Sequence, residues 1–83
     1  MKNEEIRAKV LEVLGTIAPE LDPAELAPDG NLRDQLDVDS MDFLNFVIGL
    51  HKAFGVEVPE ADYRKLFTLD GCVSYLADKI KSA

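Results

Sequence analysis

One cysteine, one histidine and no tryptophan occur among the 83 residues, and nine basic side chains stand against sixteen acids. Each scarcity excludes something. A single thiol, Cys72, cannot close an internal disulfide, so the chain needs no oxidising compartment. One His and one Cys do not make a zinc-type ligand set. A net charge of −7 argues against nucleic acid, whose phosphates select basic surfaces. No apolar run approaches the roughly 18 residues of a membrane-spanning helix, and the opening Met1, Lys2, Asn3, Glu4 and Glu5 do not resemble a secretory leader. These absences lead us to expect a cytoplasmic protein with neither nucleic-acid nor membrane partners, and a monomer is the expectation for its assembly.

The length predicts one domain over residues 1–83. A chain of 9.2 kDa should expose roughly 5,000 Å² when folded and about 13,000 Å² when unfolded, which leaves a real but small core. A large permanent cavity is not expected in it. The charge is segregated. Residues 1–17 and 46–83 each balance their acids and bases, whereas residues 18–45 hold Glu20, Asp22, Glu25, Asp29, Asp34, Asp37, Asp39 and Asp42 against Arg33 alone. The whole net charge therefore lies in one segment, either as a solvated acidic loop or as a surface that steers basic partners.

Apolar spacing gives an all-α fold. Ile6, Val10, Val13, Leu14 and Ile17 recur at helical intervals, with Asn3 as the expected cap and Pro19 just past the end. Pro19, Pro23, Pro28 and Gly30 forbid one continuous helix over 18–38. Leu21, Leu26, Leu32 and Leu36 recur through that stretch, so the long loop should be pinned to the core. Loops of that length are more often functional than decorative. A second helix is expected from Asp39–Ser40 to Phe54, stopped by Gly55. A short helical turn over about Glu60–Leu66 follows, then a last helix capped by Thr68 and built on Leu69, Cys72, Val73, Leu76, Ala77 and Ile80. The reading is three main helices plus one short one, packed as a small bundle.

The second helix carries two apolar stripes. Phe43, Phe46, Val47, Leu50 and Phe54 share one sector and form the evident core face. Met41, Leu44, Ile48 and His51 fill a neighbouring sector. Such a helix is either central in the bundle or offers its second stripe to a partner.

Catalytic machinery is missing. In one helix, Ser40 and the sole histidine His51 are eleven residues and about 16 Å apart, too far for a nucleophile–base pair. The run Asp37-Val38-Asp39-Ser40-Met41-Asp42 fails as a calcium loop: Met41 takes a ligand position, the required glycine is absent and Ile48 replaces the bidentate glutamate. No glycine-rich phosphate loop is present. Ser40 remains, one residue inside the second helix, with Asp39 the better cap and Asp42 three residues on. A serine at a helix mouth that cannot activate itself suits modification by another enzyme, because free N–H groups and the dipole favour an attached phosphate.

At these residues a resemblance appears. Asp39-Ser40-Met41 resembles the Asp-Ser-Leu signature of acyl and peptidyl carrier proteins. Leu32 and Leu36 lead into it as in the family's Leu-x-x-x-Leu-(Gly/Asp)-x-Asp-Ser, and Phe54-Gly55-Val56-Glu57-Val58-Pro59 is similar to the family's Phe-Gly-x-x-Ile-Pro. Thr68, Val73, Tyr75, Leu76 and Ile80 extend the likeness, which runs from about Ile6 to Ile80. It implies a small four-helix carrier-protein bundle with a long loop between its first two helices. It also implies 4′-phosphopantetheine on Ser40, installed from coenzyme A by a magnesium-dependent phosphopantetheinyl transferase, with Asp39 beside the metal-bound pyrophosphate. Acyl- or aminoacyl-loading and processing enzymes are the other partners implied, reading a face of Asp37, Asp39, Met41, Asp42, Leu44, Asn45 and Ile48. No catalytic residue and no resident metal are expected. Two departures stand out: Met41 replaces leucine, and no acid occurs between Asp42 and Glu57, where fatty-acid-synthesis carriers are glutamate-rich. A specialised lipid or secondary-metabolite pathway is therefore the expectation. The alternative is a cofactor-free helical adaptor that binds partners through the second helix.

Overall fold

Helix α1 (Asn3–Ile17) buries Ile6, Val10 and Leu14 of the five residues in its periodic series, while Val13 and Ile17 pack half-buried against the core. The computed structural model describes residues 2–82. Asn3 is the first helical residue and not the cap that its side chain suggests. The cap position falls on Lys2, whose backbone N–H donates to Glu5 Oε1 at 3.2 Å. A glutamate at the third helical position thus satisfies an orphan amide that a cap side chain need not serve.

The segment after α1 is pinned as its leucines predict: Leu26 and Leu32 are buried, and Leu21 and Leu36 pack against the core. Polar contacts finish the work. The Gln35 side chain clamps Ala27, accepting from its N–H at 2.7 Å and donating to its carbonyl at 3.0 Å. The Leu32 amide donates to the Phe67 carbonyl at 2.7 Å, and the Asp70 amide to Pro28 at 2.9 Å.

Within this stretch lies a helix that the sequence reading treats as loop, α2 (Leu32–Leu36). Asn31 Oδ1 accepts from the Arg33 and Asp34 amides at 2.9 and 3.2 Å. Asp37 ends the helix in the left-handed region at φ 52°, a conformation aspartate tolerates better than most residues. Among the described residues the bundle therefore has four α-helices and a 3-10 helix, one short helix more than the expected three plus one.

Helix α3 (Ser40–Phe54) runs between its expected limits, from the Asp39 cap to Gly55 in the left-handed region at φ 68°. Of its inner stripe Phe43, Phe46, Val47 and Leu50 are buried, and Phe54 packs half-buried against the core. Phe43 lies at the centre of an aromatic group, with ring centroids 6.0 Å from Phe46, 6.2 Å from Tyr63 and 5.4 Å from Phe67. These contacts fix the 3-10 helix (Glu60–Leu66) onto α3.

Helix α4 (Leu69–Ser82) starts where Thr68 Oγ1 accepts from the Gly71 amide at 2.9 Å. Tyr75 donates its hydroxyl to Asp62 Oδ2 at 2.7 Å, tying α4 to the 3-10 helix. That bond, with Lys65 beside it, keeps the Asp62 carboxyl below its usual range. Gly71 admits no side chain: a Cβ there would meet the Lys65 carbonyl oxygen and come within 2.8 Å of Thr68 Oγ1. The junction of the 3-10 helix with α4 closes because that residue is glycine. Helix α1 packs on both α3 and α4, and the described residues contain no strand. The exposed area, 5284 Å², matches the roughly 5,000 Å² expected for this mass.

Candidate functional site

The elbow between α2 and α3 sets the site. Asp39 Oδ1 accepts from the Asp42 amide at 2.9 Å, and the Asp39 carbonyl takes the Phe43 amide at 3.0 Å. Aspartate thus does the capping that a helix start requires, and Ser40, the next residue, is left exposed with no part in the cap. Its Oγ accepts one hydrogen bond, from Arg33 Nη2 at 3.2 Å. Ser40 lies in the first turn of α3, at the positive end of its dipole.

The other expected residues divide. Asp37 and Asp39 are exposed beside Ser40, although Asp37 also has a backbone task as the left-handed turn that aims α3. Met41, Leu44 and Ile48 are the exposed large apolar residues of the described chain, at 67%, 40% and 44% accessibility. This overturns the central-helix reading of the second stripe, since a helix enclosed by the bundle would have covered it. Asn45 is exposed on the same helix. Asp42 is half-buried and faces away from that stripe, lining an open groove with Ile17, Leu21, Leu36 and Val38. His51, grouped by periodicity with the stripe, turns back to the chain: its Nδ1–H donates to the Val56 carbonyl at 2.8 Å.

Among the described residues no side chain accepts a hydrogen bond from the Ser40 hydroxyl. Arg33 can only donate to Ser40, and His51 belongs to the far end of α3. Sequence reasoning did not foresee the Arg33 contact, though a signal existed: Arg33 is the one base in a segment of eight acids.

Comparison with known proteins agrees with this geometry. Residues 4–76 match the family described as the phosphopantetheine attachment site. The acyl carrier protein of Rubrobacter xylanophilus is 31% identical over 78 residues, covering 94% of this chain and 95% of that one.

The chain belongs to the acyl carrier protein family. An acyl carrier protein of Lactobacillus johnsonii is 34% identical over 76 residues, 92% of this chain and 94% of its own. Another from Acidothermus cellulolyticus is 29% identical over 83 residues, 100% and 98% of the two chains. Membership makes 4′-phosphopantetheine the covalent cofactor and makes the protein a carrier that presents groups to enzymes and is not itself one. It also brings a phosphopantetheinyl transferase and acyl-processing enzymes as the partner classes. No described helix is long and apolar enough to cross a membrane.

For an acyl carrier, the state of its own thiol matters. Cys72 is fully buried, its Sγ–H donates to the Leu66 carbonyl at 3.3 Å, and burial pushes its pKa up to about 12. At neutral pH the thiolate, the reactive form, is essentially absent, so Cys72 does not compete for thioester exchange. With a thiol-titrating reagent, the native unloaded carrier should show no reactive group and the native loaded carrier one. In denaturant the counts should rise to one and two. Rapid reaction of the native unloaded chain would contradict this burial.

Proposed function

We propose that 4′-phosphopantetheine is attached to this carrier through Ser40. The observation that carries the reading is that Ser40 is exposed at the mouth of α3 while Asp39 does the capping, so the serine has no structural task that attachment would disturb. The surroundings fit the group, since a phosphodiester is a monoanion and meets first-turn amides and the Arg33 guanidinium there. In the loading step Ser40 Oγ bonds to the phosphorus of coenzyme A nearest the pantetheine. The pyrophosphate P–O bond breaks, 3′,5′-ADP leaves, and the hydroxyl proton passes to a base of the transferase. Asp39 has one oxygen committed to the Asp42 amide, which leaves the other for the transferase's magnesium. When bound, the arm supplies a terminal thiol that holds acyl or aminoacyl groups as thioesters.

The partner face in this reading is the exposed stripe of Met41, Leu44 and Ile48, with Asp37, Asp39 and Asn45 around it, while Asp42 belongs to the groove on the other side of α3. A methionine at the head of the stripe suits varied partners. Beyond Asp42, the remaining polar positions of α3 are Asn45, His51 and Lys52, all exposed and none acidic. That supports a carrier in a specialised lipid or secondary-metabolite pathway over one serving the standard fatty-acid-synthesis enzymes.

The test is the intact mass of the folded chain after incubation with coenzyme A, magnesium and a broad-specificity transferase. One phosphopantetheine increment is expected. No increment with two unrelated transferases would overturn attachment.

A further inference from the structure

We propose that Arg33 is a positioning residue for the arm, its guanidinium pairing with the phosphodiester once Ser40 is loaded. This rests on the attachment proposed above. Arg33 is the only base among residues 18–45, with Asp34, Asp37 and Asp39 close in sequence. Yet no carboxylate of the described residues lies within ion-pair distance of it, whereas Lys65 does pair with Asp62. Its guanidinium goes instead to a neutral acceptor, the Ser40 hydroxyl, at 3.2 Å.

The arrangement is held from below. The Arg33 amide is bound by Asn31 Oδ1 at 2.9 Å. Its carbonyl accepts from the Asp37 amide and, at 3.2 Å, from the Val38 amide. Both ends of its peptide unit are thus fixed by the α2–α3 elbow, and the side chain starts half-buried. Loading replaces the hydroxyl hydrogen with phosphorus and sets two oxygens that share one negative charge two bonds beyond Oγ. A guanidinium that already reaches Oγ needs only a small side-chain rotation to meet them, and its planar fork suits a phosphate better than an ammonium would. The neutral hydrogen bond of the unloaded carrier becomes a charge-assisted one. It anchors the base of the arm on the α2 side and offsets repulsion from Asp37, Asp39 and Asp42.

The experiment compares unloaded and loaded forms of the native chain, Arg33→Gln and Arg33→Lys, with loading verified by mass. The readout is the melting temperature of the loaded form minus that of the unloaded form, at low and high salt. A merely structural role for Arg33 would shift both forms together and leave this difference unchanged. At low salt the difference should be about 2–4 °C smaller in Arg33→Gln than in the native chain, the size of an exposed pair in a domain this small. Arg33→Lys should restore part of it, and high salt should bring the three proteins together. Equal differences in fully loaded native and Arg33→Gln chains would overturn the pairing alone. A native chain that takes up no mass would overturn attachment, and the pairing with it.

Discussion

Ser40→Ala should take up no phosphopantetheine while folding as the native chain does. Loss of loading is complete because the ester oxygen itself is removed. The cost to the fold is small for identifiable reasons. Asp39 keeps the cap through the Asp42 amide, and alanine is the best helix former at the position left behind. The substitution removes only the exposed hydrogen bond from Arg33, so stability should change by no more than about 0.5 kcal/mol. Asp39→Ala is the informative contrast, because removing the cap should cost about 0.5–2 kcal/mol. Intact mass and a thermal melt on the same samples separate the two effects. An increment surviving in Ser40→Ala would move attachment to another residue and sink the assignment.

The second large effect lies further along the same helix. Leu50 is fully buried and Leu44 is 40% exposed, so one substitution has opposite consequences at the two sites. Leu50→Ala should cost about 2–5 kcal/mol through reduced burial and the cavity left behind. An 83-residue domain has roughly 4–12 kcal/mol in total, so this variant should lose a large share of its stability in a urea titration. Leu44→Ala should melt within about 0.5 kcal/mol of the native chain yet receive acyl groups from partner enzymes more slowly. Similar costs at both positions would show that the outer stripe is covered, and would return α3 to the centre of the bundle.

How much is legible in the sequence follows from length and range. Helices α1, α3 and α4 span several turns each, enough for their apolar spacing to show, and Asp39, Gly55 and Thr68 mark their ends by local chemistry. Helix α2 has five residues, little more than one turn, so it has no periodicity to detect. Its signals are single residues: Asn31, which caps it, and Asp37, which takes a left-handed turn where glycine is the usual choice. At α1, Asn3 resembles a cap because its side chain is a good one, but Glu5 reaching back to the Lys2 amide competes for that role.

The sequence by itself determined the all-helical class, the core stripe of α3, the place of Ser40 at its mouth and the resemblance to carrier proteins. Each of these depends on residues close together in the chain or on a motif in register. Tertiary structure alone decided that the stripe of Met41, Leu44 and Ile48 is open to partners, because exposure depends on which helices cover α3. It decided in the same way that Cys72 is inert, since its buried thiol is enclosed by the packed core and bonded to the Leu66 carbonyl. The Arg33–Ser40 contact also required it. Those residues are seven apart, and only the elbow built by Asn31 and Asp37 turns one helix so that its guanidinium reaches the mouth of the next.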